Sequence, residues 1–248
     1  MKVKTIFNGH IRKRLAASVV LIASVTSAHS ALINGGFESG SLAGWTTLGT
    51  TSASPGLNYG FGTVAPDSGS FAAFLSTAGV EASSLAAALG VSQEVLEASN
   101  PGVTATIGSL ISQTVFATAG DTFQFRWNFV EQDYLPYDDW AFYGISLNGA
   151  PAAIAKFASL ATVGPDANST VNGWETLNVL IAETGSYTFS FGIVNGMDNG
   201  YQSDLYIDGV SADNLPAAVS PVPEPSTVLG TGFLLGSAAF FRSRRRSN

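Results

Sequence analysis

The chain has 248 residues, no cysteine, two histidines and a formal net charge of −7. Because both histidines, His10 and His29, lie near the N-terminus, the remainder offers no disulfide, no thiolate or imidazole metal ligand and no histidine-activated nucleophile. Residues 31–221 carry 17 acidic residues against only Arg126 and Lys156. So negative a field repels phosphate backbones, which argues against nucleic acid as a partner.

The N-terminal segment has the three-part order of an export signal. A cationic stretch to Arg14 precedes the apolar run Leu15–Val25, and small residues follow from Thr26 to Ala31. This order predicts a signal peptide over residues 1–30, removed by signal peptidase. The apolar run is too short for an ordinary membrane-spanning helix, although an uncleaved anchor is the alternative interpretation.

The middle of the chain is dominated by alternation of apolar and polar residues. One segment places Phe123, Phe125, Trp127 and Phe129 on one face, and residues 177–181 and 187–193 show the same period. Glycine, asparagine, aspartate and proline separate the alternating segments. The pattern predicts an all-β fold, an antiparallel β-sandwich of the jelly-roll type, over residues 32–215.

One segment departs from this alternation. Residues 81–102 are rich in alanine, leucine and glutamate, which predicts one or two short helices over about residues 81–100, ending before Pro101. Leu85, Leu89 and Leu96 are spaced for one helical face. We expect this insertion to pack over one sheet edge and to have no separate function.

Two acidic residues lie in segments near the ends of the predicted sandwich. Glu38 belongs to NGGFESGSLAGW, residues 34–45, and Asp208 belongs to LYIDGV, residues 205–210. If the first and last strands are neighbours, these carboxylates converge, and carboxylate oxygens are ligands for a hard cation. The alternative is that both are solvated residues of turns or strand edges.

These two segments resemble the first and last strands of the galactose-binding-like jelly rolls found in many carbohydrate-binding modules. The segments LISQTV, residues 110–115, and AGDTFQFRW, residues 119–127, look like paired strands of the same modules. In similar modules a structural calcium ion is held at the positions that correspond to Glu38 and Asp208. The resemblance therefore implies a calcium cofactor, with Asp67 as a plausible third ligand.

A further stretch, residues 130–144, alternates acidic and aromatic residues. Sugar-binding sites combine aromatic platforms with carboxylates that accept hydrogen bonds from hydroxyl groups. We therefore predict a glycan-binding loop formed by Asp133, Tyr134, Tyr137, Asp138, Asp139 and Trp140. Two other interpretations fit equally: a second calcium site completed by Asp198 and Asp204, or a solvated acidic loop whose aromatic residues fill the rim of the core.

The C-terminal segment predicts membrane attachment. A proline-rich linker, residues 216–225, precedes an apolar stretch, residues 226–241, and a basic tail, residues 242–248. The positive-inside rule places the arginines in the cytoplasm and the acidic domain outside. As a helix the apolar stretch is about 24 Å long, somewhat less than the roughly 30 Å of a hydrocarbon core.

This end resembles the PEP-CTERM sorting signal of Gram-negative bacteria, through Pro223, Glu224, Pro225, the glycine-dotted apolar stretch and the terminal arginines. The resemblance implies recognition by an exosortase, cleavage near the Pro-Glu-Pro motif, and delivery to the cell envelope, cell surface or extracellular matrix. Such proteins tend to occur where exopolysaccharide is made.

The sequence contains no catalytic motif that we can identify, although a glycoside hydrolase needs only two carboxylates. We therefore predict a non-catalytic exported protein that associates with exopolysaccharide. The alternatives are a structural or protein-binding component of the matrix, and a carboxylate-based glycoside hydrolase.

Overall fold

The computed structural model of the protein describes residues 31–163, 170–171 and 173–212. The predicted signal peptide, the Pro-Glu-Pro linker, the predicted transmembrane helix and the basic tail lie outside these residues. Within them, no helix is long and apolar enough to cross a membrane.

Strands are the main secondary structure of the described chain. In order, the elements are β1 (Thr46–Leu48), β2 (Thr51–Ser54), β3 (Leu57–Asn58), β4 (Thr63–Val64), β5 (Ala72–Ser76), β6 (Val80–Glu81), α1 (Ala82–Ala88), α2 (Gln93–Glu97), β7 (Ala105–Ala117), β8 (Thr122–Glu131), β9 (Trp140–Leu147), β10 (Ala153–Ser159), α3 (Leu160–Val163), β11 (Thr170–Val171), β12 (Glu175–Leu180), β13 (Gly185–Gly196) and β14 (Asp204–Ala212).

The strands form two antiparallel sheets. The first sheet has the order β10-β9-β13-β7, with β1 and β6 both paired to β7. The second has the order β2-β5-β14-β8, with β11 and β12 both paired to β8, while β3 and β4 form a separate hairpin. The predicted antiparallel β-sandwich with a short helical insertion is confirmed.

The main core lies between the two sheets. The predicted inward face of β8 is confirmed, because Phe123, Phe125, Trp127 and Phe129 are all buried there. They meet the inward residues of β13, and the rings of Phe123 and Phe189 stack with centroids 3.5 Å apart. Alternation in the sequence thus produces one large aromatic core.

The helical insertion packs on the outer face of the first sheet. Leu85, Leu89 and Leu96 are buried, as their spacing predicts, in a cluster that includes Trp140 and Phe142 of β9. The helices therefore cover a sheet face rather than only an edge. The reason is that β9 has apolar side chains on both faces, so its outer face also needs a cover.

The outer face of the second sheet is covered in part by the β3–β4 hairpin. Val64 of the hairpin packs in a cluster with Ala72 and Tyr206. The hydroxyl of Tyr59 donates to Asp204 Oδ2 at 2.9 Å and lies 2.8 Å from the hydroxyl of Tyr206. Because both outer faces carry covering elements, the loops at the ends of the strands are the natural place for a ligand surface.

Candidate functional site

The first and last segments of the predicted sandwich are neighbours, as the sequence predicts. The Val210 N–H donates to the Gly35 carbonyl at 2.9 Å. A methyl group added at Gly36 would lie 3.9 Å from Glu38 Cγ and 4.0 Å from Asp208 Oδ1. The two carboxylates therefore flank the same glycine.

Both carboxylates hold the loop that precedes β5. Glu38 accepts hydrogen bonds from the Ser70 N–H, at 3.0 and 2.9 Å, and from the Phe71 N–H at 3.1 Å. Asp208 accepts from the Ser68 N–H at 3.0 Å and from its neighbour Gly209 at 2.7 Å. Glycine is needed at position 69, since a Cβ there would lie 2.3 Å from the Glu38 carboxyl carbon.

The third predicted calcium ligand, Asp67, forms an ion pair with Arg126 at 2.7 Å. Burial raises the pKa of Asp208, and the negative charges of Asp67 and Glu38 add to the effect. The structure thus brings the three predicted ligands together, but N–H donors and a guanidinium group already engage them. In the described part of the chain, no group of three or more histidine, cysteine, aspartate or glutamate residues is arranged to hold a metal ion. As placed, the three side chains do not fit a metal ion, and calcium here stays a prediction.

The predicted glycan-binding loop between β8 and β9 divides into a buried part and an exposed part. Trp140 is 0% exposed, and its indole Nε1 donates to Ser99 Oγ at 3.1 Å beneath the helical insertion. It therefore cannot stack against a sugar, and its assignment to the glycan site is corrected. The side chain points to the outer face of the first sheet, where the helices cover it.

The carboxylates of this loop are buried as well. Asp138 accepts from Asn100 Nδ2 at 3.0 Å and from the Ala161 N–H at 2.7 Å, so it anchors the loop to the elements around it. Asp133 and Asp139 are at most 1% exposed. A glycan on the surface would not reach these oxygens, so the prediction that they bind sugar hydroxyls directly is also corrected.

The exposed part of the loop joins a second loop. Tyr134 is 47% exposed, and its ring lies 5.3 Å from that of Tyr137 and 6.0 Å from that of Tyr201. Tyr201, which is 66% exposed, belongs to the loop between β13 and β14. We call Tyr134, Tyr137 and Tyr201 the tyrosine cluster.

Two observations fix the geometry of the tyrosine cluster. Gln132 Nε2 donates to the Gln202 carbonyl at 2.6 Å, which ties the two loops together. Tyr201 has φ of 27°, a strained value for a residue with a side chain. Sequence reasoning missed Tyr201 because its loop has no periodic pattern; the run of glycine, asparagine and aspartate around it predicts only a turn.

The buried carboxylates lie behind the tyrosine cluster. Burial raises the pKa of Asp139 to about 8, the nearby Ser203 and the Gly196 N–H oppose that rise, and the charge of Asp133 adds to it. Burial also raises the pKa of Asp133. Asp204, predicted as a ligand of a second calcium site, instead joins Tyr59 in the network on the outer face of the second sheet, where burial raises its pKa to about 6.

No family model matches the chain, and no curated protein does. Several solved structures resemble it. TmCBM61 in complex with β-1,4-galactotriose has a TM-score of 0.42 at 15% identity, over 73% of this chain and 95% of that one. A carbohydrate-binding module of promiscuous specificity, from the β-sandwich superfamily, has a TM-score of 0.42 at 13% sequence identity. The match covers 75% of this chain and 64% of that one. The CBM22-1 xylan-binding domain of Paenibacillus barcinonensis Xyn10C has a TM-score of 0.34 at 14% sequence identity. The match covers 71% of this chain and 92% of that one.

Proposed function

We propose that the protein is an exported, non-catalytic glycan-binding protein of the cell envelope or extracellular matrix, and that the tyrosine cluster is its contact surface. The observation that carries this proposal is the convergence of Tyr134, Tyr137 and Tyr201 from two loops, with two of the three rings largely open to solvent. Clustered exposed aromatic rings are unusual on a soluble surface and mark an interaction site.

The chemistry of tyrosine suits a carbohydrate. The apolar faces of sugar rings pack on aromatic rings, while the tyrosine hydroxyl exchanges hydrogen bonds with sugar hydroxyls. The rings of Tyr134 and Tyr201 stand at 65° to each other, so they offer two differently oriented faces to one ligand. An open surface of this kind suits a polymer that passes across it rather than a small molecule that must be enclosed.

Binding is better supported than hydrolysis. A glycoside hydrolase needs two carboxyl groups on either side of the scissile bond. Beside the tyrosine cluster, Asp133 and Asp139 are buried, and each accepts a backbone N–H at 2.7 and 2.9 Å respectively. Neither carboxylate is placed to reach a bond in a glycan that lies on the tyrosines.

Single substitutions test the contact surface. Tyr134→Ala and Tyr201→Ala should each weaken retention of the full chain on the host's exopolysaccharide about tenfold, since aromatic anchors carry much of the energy of such interfaces. Affinity electrophoresis in gels that contain the polysaccharide measures this. Phe61→Ala is the matched control, because Phe61 is 44% exposed and lies on the β3–β4 hairpin. Equal weakening by all three variants would contradict the assignment.

We infer the cellular localisation of the protein from its N-terminal and C-terminal segments. The predicted signal peptide and the PEP-CTERM-like tail together support export, sorting by an exosortase and loss of the arginine-rich tail. In the native host, the mature wild-type protein should therefore have a mass that lacks residues after the Pro-Glu-Pro motif, while Glu224→Ala retains them. Two identical masses that both include the arginine tail would contradict exosortase sorting.

A further inference from the structure

The interior of the sandwich changes from apolar to polar beneath the tyrosine cluster. In β8 and β13, and directly before β9 and β14, a buried polar residue lies two positions along the chain from a buried apolar residue. Glu131 follows Phe129 and Asn195 follows Ile193 by two positions, and Asp139 precedes Ala141 and Ser203 precedes Leu205 by two positions; β13 has a register shift between Val194 and Gly196. All four polar residues are 0% exposed. With Asp133 from the next loop, they form what we call the polar layer.

Strand register brings these residues together. In the first sheet the pairing of β13 with β9 ends at Val194 and Trp140, and just beyond it the Gly196 N–H donates to Asp139 Oδ1 at 2.9 Å, which brings Asn195 close to Asp139. In the second sheet Asp204 pairs with Val130, so Ser203 lies opposite Glu131. Asp139 also interacts with Ser203, which connects the two sheets across the polar layer.

Three oxygen atoms of the polar layer have no hydrogen-bond partner. They are Asp133 Oδ2, Asp139 Oδ2 and Asn195 Oδ1, and all three are buried. The other polar atom of each side chain is satisfied, since the Asn195 amide nitrogen, for example, donates to the Gly200 carbonyl at 2.8 Å. Buried acceptors are normally paired, because an unpaired one loses its hydration without compensation.

Within the described part of the chain, no basic side chain pairs with Asp133 or Asp139. In the described residues the only basic side chains are Arg126, which pairs with Asp67, and Lys156, which donates to Asn100 Oδ1 at 2.8 Å. Of the three carboxylates in the polar layer, those of Asp133 and Asp139 are therefore buried together with no basic side chain of the described residues as partner. A hard divalent cation binds carboxylate and amide oxygens, and calcium accepts six to eight such ligands in irregular geometry.

We propose that the polar layer binds a calcium ion through Asp133 Oδ2, Asp139 Oδ2 and Asn195 Oδ1. The third donor is an amide oxygen, so the site needs no third carboxylate. It shares Asp133 and Asp139 with the second calcium site that the sequence offers as an alternative, but Asn195 completes it, because Asp138 and Asp204 are engaged elsewhere. It is also separate from the predicted site at Glu38 and Asp208.

Calcium in the polar layer would also position the tyrosine cluster, a consequence that rests on the proposed function. Asp133 directly precedes Tyr134, and Asn195 Nδ2 holds Gly200, the residue before Tyr201. One ion would thus fix the two loops that carry the exposed rings.

The test uses the full chain stripped with a chelator and measures its melting temperature with added calcium or magnesium. At calcium concentrations about 100 times the Kd, we expect a rise of roughly 5–10 °C, with a smaller rise in magnesium. Asp139→Asn should lose this rise, and without metal it should melt near the wild-type temperature, because the amide oxygen of asparagine can still accept the Gly196 N–H. Glu38→Gln should keep a calcium-dependent rise.

If Asp139→Asn does not fold, a second variant and a second measurement still test the proposal. Asn195→Asp adds a carboxylate, so it should melt lower than wild type without metal and gain more from calcium. Terbium bound in the polar layer, next to Asp133 and therefore close to Tyr134, should show tyrosine-sensitised luminescence, and added calcium should displace it. The proposal would be overturned if calcium did not raise the melting temperature of the wild-type protein. It would also be overturned if calcium raised the melting temperature of Asp139→Asn as much as that of the wild type. Neither readout uses a glycan, so failure here and failure of glycan binding are distinguishable.

Discussion

Replacing Trp140 by alanine should destabilise the protein by about 3–5 kcal/mol, the range for removing a large buried aromatic side chain. The indole fills the space between the first sheet and the helical insertion, and the substitution also removes its hydrogen bond to Ser99. Thermal and denaturant unfolding measure the loss. Retention of the folded variant on polysaccharide should be unchanged.

Trp140→Phe is the matched variant, since it keeps an aromatic ring in the cluster and should lose much less stability. A Trp140→Ala protein of wild-type stability that no longer binds polysaccharide would show that the indole contacts the glycan. That outcome would support the sequence-based prediction that Trp140 belongs to the glycan-binding loop.

Leu85→Ala should cost about 2–5 kcal/mol, because Leu85 is fully buried where α1 meets the first sheet. The measurement is the free energy of unfolding in denaturant. Val95→Ala is the control from the same insertion, as Val95 is 47% exposed and its truncation should change stability by no more than about 0.5 kcal/mol. Equal, small effects would mean that the insertion is an appendage rather than a part of the core.

The fold was predictable where one physical rule dominates. In β8 every second residue from Phe123 to Phe129 is aromatic, and only a half-buried strand explains that period. The leucine spacing of the insertion predicted burial but not the break between helices, because Leu85 and Leu89 lie one turn apart at α1, Leu96 lies in α2, and all three pack in one cluster. The proximity of Glu38 and Asp208 was predicted by placing the first and last strands side by side, but residues 34–45 form no strand and meet β14 through the hydrogen bond from the Val210 N–H to the Gly35 carbonyl.

The candidate site was less predictable because aromatic residues with similar sequence neighbours are exposed at one position and buried at another. Tyr134 and Trp140 both follow an aspartate, yet one is exposed and the other is buried beneath the helices. A signal was available in β9, where Trp140 and Phe142 alternate with Ala141 and Tyr143, so that both faces are apolar and both need a cover. Tyr201 carried no comparable signal.

The polar layer also depends on tertiary pairing. Asn195 lies in a strand that otherwise alternates as expected, and nothing local marks it as a partner of Asp139. The two residues meet only because β13 pairs with β9 up to Val194 and Trp140 and the next link is the hydrogen bond from the Gly196 N–H to Asp139. Sequence patterns give the face of each residue, whereas register decides which residues on that face meet.

Calorimetric titration of the host's exopolysaccharide into the full chain, compared with a Tyr134→Ala/Tyr201→Ala double variant, tests the central claim most directly. The proposal predicts saturable binding by the wild-type chain and by Phe61→Ala, and loss of binding by the double variant at an unchanged melting temperature. Wild-type binding that the double variant fully retains, or no binding by the wild-type chain, would contradict it and favour a structural or protein-binding role in the matrix.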